Sequence, residues 1–417
     1  MGRLARAPLL ALALLLFCAD ARADEPPTFL IERVVVEGLE RESARQIVLS
    51  ESRLVEGGTY SEPQLRDAVS RVKRLPFVVD ANMALRKGSE RGAYELLITV
   101  EAAKPVAFAL DVDGFYFDRP HLRDDGPNDD EIAGGAAFTV SARKFVGAHG
   151  LLFGSVQAFD DDLGVGTFQL GYTRYGLFGA GSYASGALSS AVGDRYDKGN
   201  LQASAQLGIP LTGNHALRAS AAWTSIESRF GSYGGYSEVQ LEEWGGGLEW
   251  IYDSTDDPLF ATSGRRITGT GGYASRRQTH RMRAGGNGEF DFDQRFSDDS
   301  WLLSVQGRQY WPVTPKQSLG LGAGAGHSES FDVTGGSTGV YVEAIHAFNV
   351  WDFAIRERRG GDLRLETVAR VDSSRYSSDS FDYDALDGQL RTSLLFRNAW
   401  GVYRLSFSYV AELEGGR

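Results

Sequence analysis

Four stretches late in the chain alternate apolar and polar side chains residue by residue. In 363–371, Leu363, Leu365, Thr367, Ala369 and Val371 share one face, and Arg364, Glu366 and Arg370 share the other. In 390–397, Leu390, Thr392, Leu394 and Phe396 oppose Arg391, Ser393 and Arg397. In 403–409, Tyr403, Leu405, Phe407 and Tyr409 oppose Arg404, Ser406 and Ser408, and in 301–308, Trp301, Leu303 and Val305 oppose Ser304, Gln306 and Arg308. A period of two is that of a strand with unlike faces. A soluble sandwich and a membrane barrel both show it: one buries the apolar face in protein, the other in lipid.

The start of the chain favours lipid. Arg3 and Arg6 precede an apolar run from Ala7 to Ala19, and Ala21-Arg22-Ala23 offers a small-residue cleavage site, so 1–23 reads as a secretory signal peptide. Phe17 stands where a lipoprotein signal needs a small residue before Cys18, the single cysteine. Cleavage removes Arg3, Arg6, Arg22 and Asp20, taking the net charge from −12 to −14 and leaving no thiol for a disulfide. So acidic a chain is not expected to bind nucleic acid. No later stretch reaches the about 18 apolar residues of a spanning helix. The 51 glycines, with 23 Phe, 17 Tyr and 7 Trp against 3 Met, suit many short strands. Aromatics near strand ends fit the girdles of a membrane barrel.

Residues 24–103 read as a separate α+β unit. Ile31–Glu37 is a strand that stops at Gly38, and Glu42–Ser50 is helical, with Ala44, Ile47 and Val48 on one face. Gly57, Gly58 and Tyr60 read as a turn. Ser61 caps a second helix, with Gln64 completing a capping box and Leu65, Val69 and Val72 on the buried stripe. Phe77–Leu85 and Tyr94–Val100 are strands, giving the order βααββ.

Residues 104–417 are then the barrel, with about 16 antiparallel strands of about 10 residues each. Three of them are expected at 264–275, 281–295 and 300–311. If the α+β unit lies on the inner side of the membrane, the acidic run 118–131 becomes the first external loop, read as solvated because its carboxylate spacing matches no metal loop. Arg364, Glu366 and Arg370, with Glu289, Asp291 and Asp293 on another strand, are expected to form a charge network filling a narrow lumen.

Chemistry is sparse. Gly335-Gly336-Ser337-Thr338-Gly339 matches G-x-S-x-G, but VYVEAIHAF follows as a strand where a nucleophile elbow needs a helix. Glycines 320, 322, 324 and 326 alternate outside any βαβ unit, and read as a flat face with room for a neighbouring chain or plug. The six histidines show no ligand spacing. No catalytic residue, cofactor or metal is expected, and the chain is not read as an enzyme.

One stretch resembles a known family. In Trp250–Tyr273, Asp253, Asp256, Pro258, Phe260, Thr262 and Gly264 follow the pattern D-x-x-D-x-P-x-x-P-T-x-G, with Ala261 at the second proline. That turn is similar to one in the POTRA-plus-barrel superfamily of outer-membrane proteins, the barrel-assembly or bacterial surface antigen type. Val36, Gly38, Ile47, Gly58, Tyr60, Leu65, Val72, Leu75, Phe77, Leu96, Ile98 and Val100 match a single POTRA domain. The resemblance implies the outer membrane of a Gram-negative bacterium, with the POTRA domain in the periplasm. It implies assistance to proteins inserting into, or crossing, that membrane. The alternatives are a passive pore or structural barrel, and the transporter half of a split secretion system. It also implies unfolded clients, paired as added strands along an edge at Phe77, Val79, Ala81 and Met83. The chain departs from the family in two places: the external loop that carries Arg-Gly-aromatic in the family is only Pro312–Lys316 on this count, or else lies at Gly335-Gly336-Ser337 with the strand parity shifted by one and no Arg-Gly following, and the chain closes on Glu414-Gly415-Gly416-Arg417 without a terminal aromatic.

Overall fold

A computed structural model describes residues 27–118, 133–146, 149–160, 166–192, 200–211, 213–232, 235–284, 290–330, 335–355, 358–378 and 382–415. The expected signal peptide, the acidic loop beyond Asp118, Glu289 and the side chains of Asp291 and Asp293 lie outside the described residues.

The amino-terminal module runs β1 (Thr28–Glu37), α1 (Glu42–Ser52), β2 (Gly58–Ser61), α2 (Glu62–Lys73), β3 (Val78–Lys87) and β4 (Ala93–Ala102). Residues 58–61, expected as a turn, form a short strand paired with β1. The sheet order is β2-β1-β4-β3, with β1 and β4 parallel. One face of the sheet buries Ile31, Val34, Leu96 and Ile98 against Val48 of α1 and Leu65 and Val72 of α2. The capping box forms: Ser61 N–H donates to Gln64 Oε1 at 2.8 Å.

The barrel follows as β5 (Val106–Asp118), β6 (Ala133–Val146), β7 (Gly150–Asp160), β8 (Gly166–Tyr175), β9 (Tyr183–Val192), β10 (Asn200–Pro210), β11 (His215–Ser232), β12 (Gly235–Asp253), β13 (Gly264–Ala284), β14 (Phe290–Thr314), β15 (Gln317–Ser330), β16 (Gly335–Ile355), β17 (Arg358–Ser378), β18 (Asp382–Asn398) and β19 (Gly401–Gly415). It closes with 15 strands among the described residues, where about 16 were expected. The discrepancy is local. The expected strands 264–275, 281–295 and 300–311 are two long ones, β13 of 21 residues and β14 of 25, in unbroken register from Gly264↔Tyr310 to Ala284↔Phe290. About 9–11 residues cross a bilayer. Beyond it a ladder needs no apolar face, so the dyad fades at Arg276–Arg283 while the backbone pairing continues.

Losing one strand changes the parity of everything after it. The Pro312–Lys316 connection lies on the module's side, and the connection before Gly335 lies on the far side. All sequential pairs are antiparallel, whereas β19 meets β5 in parallel, Gly401 opposite Phe108 through Ala411 opposite Asp118. An odd number of up-and-down strands imposes that closure.

The outer face carries the apolar row of each strand. Leu365, Leu394, Leu405 and Phe407 are exposed, Leu363 and Phe396 half-buried, and the alternating Arg364, Ser393 and Ser406 are buried inside. On the module's side the apolar belt ends in polar aromatics. His215 stacks on Trp250 at 5.6 Å, and Arg265 lies over the Tyr252 ring at 5.4 Å. This ring-and-cation belt is what a membrane interface selects.

Candidate functional site

The turn between β12 and β13 is folded by its own carboxylates. Asp253 Oδ1 accepts from Thr255 N–H (3.0 Å) and hydroxyl (2.6 Å). Asp256 Oδ1 accepts from Thr262 and Ser263 N–H at 2.8 and 3.1 Å. Asp257 Oδ1 accepts from Leu259 and Phe260 N–H, both at 2.9 Å. Short acidic side chains favour such local backbone bonds over a ladder. Gly264 ends the turn at φ +92, where a Cβ would stand 2.2 Å from Ser254 O. Asp253, Asp256, Phe260, Thr262 and Gly264 of the motif, with Asp257, therefore shape one compact knot.

That knot is gripped from two sides. From the module, Arg74 at the end of α2 donates to Asp253 Oδ1 (2.9 Å), Asp253 O (3.1 Å) and Thr255 O (3.0 Å). Lys73 pairs with Asp80 at 2.9 Å and stands 4.0 Å from Asp257. Arg71 and Lys73 in the last turn of α2 also suit the negative end of its dipole. From the barrel, Arg397 of β18 donates to both Asp257 oxygens (3.0 and 2.9 Å) and to Asp362 of β17 (2.9 Å). Its guanidinium lies 4.4 Å from the centre of the Phe260 ring. Arg364, 1 % exposed, donates to Ala261 O at 2.9 Å and to Glu366 at 3.2 Å. A cavity of about 150 Å³ remains between Lys73, Asp80, Asp256, Asp257, Asp362 and Arg397. Burial alone would raise the Asp257 carboxyl, but the charges of Arg397 and Lys73 and the two backbone N–H groups outweigh it and hold it below the usual range.

The expected lumen residues divide. Arg364 and Glu366 form a pair joined to the turn, while Arg370 pairs with Asp372 and lies 3.8 Å from the Tyr341 ring. The glycine row of β15 is filled by the chain itself, which replaces the expected room for another chain or a plug. Glu343 of β16 crosses over Gly322 to bond Arg308 of β14 at 2.5 Å, and Tyr341 crosses over Gly324 to donate to Gln306 at 3.0 Å. The G-x-S-x-G run lies within β16, where the Ser337 and Ser328 hydroxyls share a hydrogen bond of 2.8 Å.

The expected client edge is an edge: among the described residues β3 pairs only with β4. Its expected side chains point inward, however. Ala81 is 1 % exposed, Val79 is buried and Met83 packs on the module core. The Phe77 ring meets that of Phe145 of β6 at 6.0 Å. The solvent-facing residues are Asn82, Ala84 and Arg86.

Comparison with known proteins picks out the stretch that contains the turn. Residues 154–350, from β7 into β16 and including the knot, match the Omp85 superfamily domain. That stretch of the barrel is an Omp85 superfamily domain. This is the POTRA-plus-barrel family that the turn resembles, and the fold of an Omp85 barrel is that of the Gram-negative outer membrane. Among solved structures, this chain is similar to BamA from Haemophilus ducreyi lacking POTRA domains 1–3, at 11% identity over 92% of this chain and 84% of that one, with a TM-score of 0.41. It is also similar to CdiB from Acinetobacter baumannii, at 10% identity over 88% and 67%, with a TM-score of 0.43. No curated protein matches it.

The sequence pattern located the knot. It did not identify Lys73, Arg74, Asp257, Asp362 or Arg397 as the residues that hold it. A signal existed for Arg397: the dyad of 390–397 places it on the polar face at the end of a strand, where a buried arginine needs a carboxylate.

Proposed function

We propose that this protein assists other proteins to insert into, or cross, the outer membrane, with the module in the periplasm acting as a POTRA domain. The observation that carries the reading is the Omp85 domain over 154–350. Two features of the fold support it. The β3 edge stands at the end of its sheet, where an unfolded strand can add through backbone bonds with little demand on the client's sequence. The β5–β19 seam is the one parallel pairing among the described barrel strands, and parallel pairing is slightly weaker per residue. A passive barrel is the second reading. It is favoured by the strand that runs through Gly335–Tyr341 where the family carries an Arg-Gly-aromatic segment.

Depletion of the protein followed by quantitative outer-membrane proteomics separates the two. Selective loss of other barrels, or of one secreted protein, is the expected result. An unchanged proteome would reject assistance and leave the passive barrel.

A further inference from the structure

The corner between α1 and β2 holds a large apolar side chain open with its backbone fixed. Val55 is 69 % exposed. Its N–H donates to Tyr60 Oη at 2.8 Å, and the Tyr60 hydroxyl lies 3.3 Å from Val55 O. Arg53 ends α1 in the left-handed region at φ 56, a conformation uncommon outside glycine, and so turns the chain towards the barrel.

This corner meets the barrel rim at two turns. The Glu51 carboxylate lies against Gly181, where a Cβ would stand 3.0 Å from it. Arg53 Nη1 donates to Leu211 O at 3.3 Å and to Gly213 O at 3.2 Å. Both turns also display apolar side chains. Leu177 and Phe178 are exposed, Phe178 by 67 %, in a turn with positive φ at Gly176, Gly179 and Gly181. Ser182, fully buried, locks that turn, accepting from Phe178 N–H at 2.8 Å and donating to Gly179 O at 2.7 Å. Leu211 continues the exposed outward row of Leu201 and Ile209 on β10, and Leu217 stands opposite Ile209 on β11.

We propose that Val55, Leu177, Phe178 and Leu211 form one apolar foot in the membrane leaflet on the module's side, so that the module rests on lipid as well as on the barrel. This proposal rests on the reading of the barrel as membrane-embedded. The occupant follows from continuity: Leu211 prolongs the exposed outward row of β10 past the strand end, beside Leu217 of β11, and Arg53 is fixed on that same turn. Rigid apolar groups beside a cation suit the boundary between acyl chains and headgroups, and Arg53 supplies that cation.

The test uses the full chain with Cys18→Ser, reconstituted in vesicles. Single cysteines replace Val55, Phe178, Ala84 on the opposite edge of the module, or Leu405 on the barrel belt, and each carries an environment-sensitive fluorophore. Quenching is measured with phosphatidylcholine brominated on the acyl chain. The expected result is quenching at 55 and 178 several-fold above that at 84 and approaching that at 405. Quenching at 178 but not at 55 would overturn the proposal, since the module would then stand clear of the leaflet. A probe at 55 shielded only as protein concentration rises would overturn it too, in favour of contact between copies. Loss of quenching at 405 would instead reject the membrane-embedded barrel itself.

Discussion

Arg397 joins two carboxylates that the chain keeps far apart, Asp257 at a separation of 140 residues and Asp362 at 35. All three side chains are nearly inaccessible, so removing the arginine takes away the one guanidinium that two buried carboxylates share. We expect Arg397→Ala to cost about 3–5 kcal/mol, measured as urea unfolding of the vesicle-bound barrel by gel mobility. A loss within about 0.5 kcal/mol, the usual size at an ordinary surface site, would mean that the knot is not held from the lumen. Glu51 carries the opposite sign. Burial raises its pKa, against the charges of Arg53, Arg71 and Arg74. A raised folded-state pKa contributes stability below the unfolded value of about 4.3 that is lost as pH rises through the folded value. Glu51→Gln should therefore stabilise the docked module at pH 7, with the gain shrinking towards pH 4, as read by protease resistance of the module. A variant more protease-sensitive at pH 7 would show that the carboxylate's ion pairing outweighs its burial. At this scale the sequence was only half legible. The capping carboxylates of the turn act over two to seven residues and leave a local pattern, whereas Arg74, Arg397 and Asp362 are partners only through the fold.

Strands were legible wherever lipid lies on one side and lumen on the other. Strands β17, β18 and β19 read directly because every second residue answers to a different solvent. The same rule failed where β13 and β14 rise beyond the bilayer: Arg276 faces Asp298 and Arg277 faces Ser297, and the polar runs 275–281 and 297–300 read as turns although the ladder continues through them. The β15 glycines mark a different limit. Their alternation was visible, but the side chains that fill the space belong to β16. The in-and-out assignment is testable on one strand. Leu365→Arg should cost about 2–4 kcal/mol if the site lies near the bilayer midplane. Glu366→Leu, which removes one partner of Arg364, should fold with the smaller loss in a heat-modifiability assay. The reverse ranking would mean that the faces are exchanged.

The strand count is a property of the whole molecule, and no local pattern reports it. One false division of a long hairpin adds a strand, flips every later connection to the other side of the membrane, and changes the closure from parallel to antiparallel. With 15 strands, the seam sets Leu110 opposite Tyr403, Val112 opposite Leu405 and Gly114 opposite Phe407. Tyr116 stacks on Tyr409 at 5.6 Å on its outer face, and Arg404 pairs with Asp111 at 3.4 Å on its inner face. Disulfide trapping across this seam is the most direct measurement, because a disulfide needs Cα atoms within about 7 Å and so reports register. Double variants Leu110→Cys with Tyr403→Cys, and Gly114→Cys with Phe407→Cys, are oxidised in the membrane and scored by mobility. Both should cross-link, while the crossed combinations Leu110→Cys with Phe407→Cys and Gly114→Cys with Tyr403→Cys should stay reduced. Cross-linking of the crossed pairs instead would contradict the parallel closure, and absence of any cross-link would place another strand between β5 and β19.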